Sequence, residues 1–162
     1  MSIVPHTPSA SVRSGRRWAS RLYSGDLAQT SRVRADLRAD LAGFGDDLVE
    51  TATLCASEAF ANAVEHTGSG EPGGRVLRAL YVAAPGTLRL VIVDDGAVDT
   101  APEVPHQRTD EQWRDAERGR GLLLVESIAA SWGTFPVVPF PFCTDLGTAV
   151  WAEFPTGDAP FR

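Results

Sequence analysis

The chain has 162 residues, 15 basic and 21 acidic, a formal net charge of −6 and 43% hydrophobic content. All of the basic residues are arginine. P-loop phosphate binding, the strand lysine of eukaryotic-type protein kinases and Schiff-base chemistry are therefore excluded, since each needs a lysine amine. Phosphate would have to be held by backbone amides, a helix N-terminus, arginine or a metal ion. The acidic balance argues against direct nucleic-acid binding, which wants a dense basic face.

In chain order, residues 1–14 are Ser/Pro-rich and expected to be a disordered arm. The basic run Arg13, Arg16, Arg17 and Arg21 reads as a solvated strand or arm. A first strand is predicted over residues 16–23, with Trp18, Leu22 and Tyr23 as its large apolar residues. Thr30 or Ser31 can cap a helix in which Val33, Leu37 and Leu41 recur every four residues before Gly43 stops it. A second helix opens after Gly45, with Asp46 and Asp47 at its positive end, and stops at Gly68. The loop SGEPGG leads to a hairpin of residues 76–83 and 87–93, joined by a Pro-Gly turn. Residues 94–118 are charged and aperiodic, the pattern of a functional lid. GRGLLLVESIAASWG then predicts a short apolar helix opened by two glycines, and residues 132–154 two strands with a Pro-rich connection. The order predicts an α+β two-layer sandwich: a mixed, mostly antiparallel sheet with helices on one face. One domain is expected over residues 15–156, followed by a short tail, 157–162. Cys55 and Cys143 lack any metal-ligand spacing, so zinc is not expected and a reduced, cytoplasmic setting is. The N-terminus has no apolar leader core, and no run reaches membrane length.

Three places carry chemistry. In the second helix Glu58, Asn62 and Glu65 share one face at i, i+4 and i+7, beside an apolar stripe of Leu48, Ala52, Ala56, Ala59, Phe60 and Ala63. Asn62 offers a neutral oxygen to a hard cation such as Mg²⁺, and Glu58 a base toward a water or hydroxyl. The same pattern also suits the solvent edge of an amphipathic helix. Next, an apolar strand runs into Asp94-Asp95-Gly96, placing a carboxylate where it can accept from an exocyclic amine such as that of adenine; Asp-Gly after a strand is also an ordinary turn. Finally, Glu117-Arg118-Gly119-Arg120-Gly121-Leu122 puts two glycines before a helix, where backbone amides can approach an anion, as well as being a common way to begin a helix.

These motifs, in this order, resemble the Bergerat fold of the GHKL ATPases, the family of gyrase, sensor histidine kinases and MutL. Within it they resemble the bacterial anti-sigma-factor serine kinases. The phrases SEAFANAVEHT, VIVDDG, RGRGLLLVESIAASWG and GTAVWAEF carry the likeness, which spans about residues 16–155. The resemblance implies ATP and Mg²⁺ as cofactors. Asn62 would be the Mg²⁺ ligand, Glu58 the general base and Asp94 the partner of the adenine amine, with Gly96 giving the ring room. Gly119 and Gly121 would hold the phosphates, with Arg118, Arg120 and Leu122 in the same segment and residues 97–118 as the lid. Thr148, after Gly147, would set a hydroxyl near adenine. His66 is expected to cap or pack the helix end, and Trp132 and Trp151 to lie in the core. One departure stands out: Val98 occupies the place of the second glycine in the family's Asp-x-Gly-x-Gly, which stiffens the lid hinge.

The function so implied is a serine/threonine kinase that phosphorylates an anti-sigma factor antagonist of the STAS type and so controls a sigma factor. The alternative is a non-catalytic, ATP-dependent module that sequesters a sigma factor or another regulator. A decayed domain that binds no nucleotide is the third reading. The resemblance also leads one to expect a homodimer.

Overall fold

The computed structural model describes residues 15–96, 128–136 and 147–157. They form β1 (Arg21–Ser24), α1 (Thr30–Asp40), α2 (Asp46–His66), β2 (Arg75–Ala84), β3 (Thr87–Val93), β4 (Ser131–Pro136) and β5 (Thr148–Pro155). Two 3-10 turns, Leu27–Gln29 and Gly68–Gly70, precede α1 and follow α2. The arm 1–14, residues 97–127 with the expected lid and third helix, and the tail from 158 onward lie outside the described residues.

The five strands make one sheet in the order β1-β2-β3-β5-β4, antiparallel at every pairing. Pro85-Gly86 closes the β2–β3 hairpin, and Gly86 adopts the left-handed φ of 75° that this turn requires. The long-range step is the insertion of β5 between β3 and β4. The expected first strand is divided: Arg17 forms an isolated bridge with Tyr81, and regular pairing begins only at Arg21.

Helix entry also differs from expectation. A 3-10 turn comes before α1, so the capping side chain is Asp26, whose Oδ1 accepts the Ala28 N–H at 2.9 Å. Thr30 instead donates its hydroxyl to the Leu27 carbonyl at 2.7 Å. α2 begins as expected behind Gly45, with Asp46 and Asp47 in its first turn.

Period-two alternation decides what the sheet buries. Leu88, Leu90 and Ile92 of β3, with Val150, Ala152 and Phe154 of β5, form one core with Ala52, Ala56, Ala59, Phe60 and Ala63 of α2. Four alanines let α2 lie close to the strands, and fully buried Phe60 fills the space beside β1, edge-on to Tyr23 at 6.0 Å. Trp132 packs against this core as expected. Trp151 does not: its odd register on β5 places it on the opposite sheet face, 4.8 Å from the Arg89 guanidinium. Its indole lies over Gly133, where a Cβ would come within 2.8 Å of the ring.

The arginine run also has a structural use. Arg16 stacks on Trp18 at 4.6 Å, Arg17 on Tyr81 at 5.1 Å, and Arg21 bonds Asp40 through two nitrogens at 3.0 and 2.7 Å. Asp40, at the end of α1, also binds Arg78 of β2, a fully buried guanidinium on the helix-facing side of the sheet. Burial pushes the Asp40 carboxyl upward, but Arg21 and Arg78 outweigh it and hold the group below the usual carboxylate range. Among the described residues no helix is long and apolar enough to cross a membrane.

Candidate functional site

α2 runs alongside β3 in the same direction. Cys55 and Ala59 face Leu90, Ile92 and Val150 across one small void, and beyond the helix end the Gly68 N–H donates to the Gly96 carbonyl at 2.8 Å. Asn62, one turn past Ala59, therefore stands at the level where β3 gives way to Asp94, with Glu58 one turn behind it. The helix stripe and the strand mouth singled out in the sequence meet at one end of the sheet.

Asp94 extends the helix-facing set Leu90 and Ile92 by one more alternation and is itself buried, at 4% exposure. Its Oδ1 accepts the Gly96 N–H at 2.8 Å and the Thr148 N–H at 3.0 Å. Its backbone N–H donates to the Thr148 carbonyl, and its own carbonyl accepts from Gly147, both at 3.0 Å. Oδ2 receives no hydrogen bond among the described residues. Oδ2 is the carboxylate oxygen not committed to backbone N–H groups, and so the one open to an N–H of a ligand. Burial drives the Asp94 carboxyl above its ordinary range; the two backbone N–H groups oppose the rise, and neighbouring Asp95 adds to it.

The cradle around Asp94 depends on two glycines. Gly96 has a φ of 97°, and Gly147 lies so close to it that a Cβ on Gly147 would overlap the Gly96 backbone and Asp94 Oδ1. Gly147→Ala should thus push the turn apart, weakening nucleotide affinity at least tenfold and lowering stability by about 1–3 kcal/mol. Calorimetric titration and urea unfolding of the variant check both effects. Thr148 presents its side chain on the Asp94 side of β5, where its backbone already serves the carboxylate.

On α2, Glu58 is half-buried, with no hydrogen bond or ion pair among the described residues, and its charge adds to burial in pushing the Cys55 thiol up to about 12. Asn62 Nδ2 and His66 Nε2 are both buried without a hydrogen-bond partner. His66 does not cap the helix. Thr67 does, donating its hydroxyl to the Ala63 carbonyl at 2.5 Å. Glu58, Asn62 and His66 thus form an i, i+4, i+8 stripe in which Asn62 Nδ2 has no hydrogen-bond partner among the described residues and His66 Nε2 has only the Glu65 carboxylate, 3.9 Å away, near it. Among the described residues no group of three His, Cys, Asp or Glu side chains is placed to hold a metal. A Mg²⁺ ion here would depend on oxygens of a bound triphosphate and water in addition to Asn62, its usual mode beside nucleotides. Arg118, Gly119, Arg120, Gly121 and Leu122 fall outside the described residues.

A family model described as the histidine kinase-like ATPase domain matches residues 23–133, more than half of the chain. The chain belongs to this ATPase family. Among curated proteins, none matches the sequence. Membership makes the chain a GHKL-type domain and implies ATP as its ligand. Asp94 Oδ2, without a donor among the described residues, and the glycine cradle beside it fit a 6-amino purine, whose amine is a donor. Gly147, against Gly96, and Ser69, whose hydroxyl accepts the Asp95 N–H at 2.9 Å, adjoin the Asp94 turn and were passed over by motif reading. Gly147 stood inside the quoted GTAVWAEF phrase, but only the fold reveals its contact with Gly96. Ser69 had no motif signal at all.

Proposed function

We propose that this ATPase domain is a cytoplasmic serine/threonine kinase that phosphorylates an anti-sigma factor antagonist of the STAS type and so regulates a sigma factor. The observation that carries this reading is Glu58: a half-buried carboxylate one turn from Asn62, with no ion pair or hydrogen bond among the described residues. A module that only bound nucleotide would have no use for an unsatisfied base there. Glu58 accepts the proton of the acceptor hydroxyl as its oxygen forms the new bond to the γ-phosphorus and the bond to the β-phosphate oxygen breaks, leaving ADP. Asp94 holds the adenine amine, and Asn62 supplies an oxygen ligand to Mg²⁺, which when bound neutralises triphosphate charge.

The test is incubation of the purified protein and Mg²⁺-ATP with the STAS-type proteins of the same genome, read by intact mass. Transfer of one phosphoryl group is expected. Glu58→Ala should lower its rate by about 10²–10⁴-fold, with ATP affinity changed less than about threefold. ATP binding without transfer to any of them would overturn the kinase reading. One observation favours a second reading, a non-catalytic sequestering module: Val98 stands where a lid glycine is expected. Recovery of a sigma factor with equal affinity by native protein and Glu58→Ala would support it.

A further inference from the structure

The geometry points to Ser69, in the turn after α2, as the residue that positions Asp94 and thereby sets the preference of the site for a 6-amino purine. Ser69 is fully buried, and its hydroxyl bridges two segments. It donates to the Arg75 carbonyl at 2.7 Å and accepts the Asp95 N–H at 2.9 Å. The turn Asp94-Asp95-Gly96 is held from this side by three bonds: Gly68 N–H to the Gly96 carbonyl, Asp95 N–H to Ser69 Oγ, and Arg75 N–H to Asp95 Oδ2. Only the second is made by a side chain of the loop. On the other side the carboxylate is fixed by Thr148. Removing the Ser69 hydroxyl releases the backbone of the middle residue, leaving Asp95 held only through its side chain by Arg75, and loosens the N–H of Gly96 that orients Asp94 Oδ1.

The surroundings are shaped around this one residue. A Cβ on Gly25 or on Gly74 would overlap the Ser69 carbonyl, and one on Gly70 would overlap the Val64 carbonyl. Gly25 N–H also donates to the Gly74 carbonyl at 2.9 Å, closing the shell. These close backbone approaches fix the main chain around Ser69 against the segment after β1 and the last turn of α2.

This inference rests on the reading of Asp94 as the adenine-recognising group, so its test has one arm that needs no nucleotide. Affinities for ATP and for inosine triphosphate, which has an oxo group in place of the amine, are measured for native protein, Ser69→Ala and Ser69→Cys. Ser69→Ala should weaken ATP about tenfold and leave inosine triphosphate nearly unchanged, since one charge-assisted contact is misaligned. Ser69→Cys, which keeps a weak donor and acceptor, should fall between. Equal weakening toward both nucleotides would mean a merely structural role and overturns the proposal. In parallel, amide hydrogen exchange should speed about tenfold at Gly96 and Thr148 in Ser69→Ala, with Leu90 unchanged. Unchanged exchange at Gly96 and Thr148 overturns the proposal. A native protein that binds neither nucleotide defeats the adenine reading, and the exchange arm then decides the role of Ser69.

Discussion

Asp94→Asn is expected to abolish ATP binding while leaving the folded protein at least as stable as the native chain near neutral pH. The side-chain oxygen that accepts from Gly96 and Thr148 is retained in the amide. Its new NH₂ then stands where the purine amine must donate, so donor faces donor. Turning the amide over does not help, because the NH₂ then meets the two backbone N–H groups. The loss should be about 3 kcal/mol, more than a hundredfold in Kd. Stability moves the other way. The Asp94 carboxyl is raised in the folded state by burial. At a pH below the ordinary aspartate range both folded and unfolded states are protonated, and no penalty exists. As pH rises through that range the unfolded chain ionises first, so stability falls until the raised folded value is passed. Asparagine cannot ionise and removes this loss. Urea midpoints of both proteins, followed from acid to neutral pH, should therefore diverge in favour of the variant, while calorimetry shows no heat with ATP. A variant that binds ATP within threefold of native would sink the assignment of Asp94.

The elements that motif reading placed correctly are those whose signals are local. α2 was legible because Gly45, Asp46 and a run of small and apolar residues at helical spacing all agree. The β2–β3 hairpin was legible because Pro85-Gly86 sits between two alternating runs. The candidate site residues named from sequence rest on the same locality. Glu58 and Asn62 stand one turn apart on one helix, and Asp94 ends a strand. What could not be read depends on pairing between distant segments. The antiparallel register of β3 with β5 brings Gly147 against Gly96 and places Trp151 on the face away from the helices. A tryptophan in a strand has an even choice of faces, and only register makes it. Ser69 is a loop serine among glycines until the fold sets it beside Asp95. The 3-10 turn before α1 transfers capping from Thr30 to Asp26 because three residues of tighter helix shift the first free N–H groups toward the N-terminus.

Asp40→Ala should be the most destabilising single change away from the site, by about 3–5 kcal/mol, because it leaves the buried Arg78 guanidinium without its carboxylate. Arg78 has no exposed surface, and its Nε and Nη1 already lack hydrogen-bond partners. The pair thus gains little beyond mutual neutralisation, and removing both charges costs less than removing the Asp40 carboxylate alone. Arg78→Met, with an apolar chain of similar reach on the helix-facing side of β2, should cost less than Asp40→Ala, because Asp40 keeps Arg21 as its partner. The double variant Asp40→Ala/Arg78→Met should recover about 2 kcal/mol or more of the loss. Urea unfolding of the four proteins forms the cycle, and a cost below about 1 kcal/mol for Asp40→Ala would refute the buried-charge argument. The pH dependence has the opposite sign to that of Asp94. Asp40 is held below the usual carboxylate range by Arg21 and Arg78 despite its burial, so its contribution is complete above that range and is lost as pH falls through the depressed value. Because this network ties α1 to β1 and β2 while Asp94 is held by the loop after α2 and by β5, Arg78→Met should bind ATP with native affinity. Stability is thereby expected to depend on Asp40 and nucleotide recognition on Asp94, two acidic residues with opposite responses to acid.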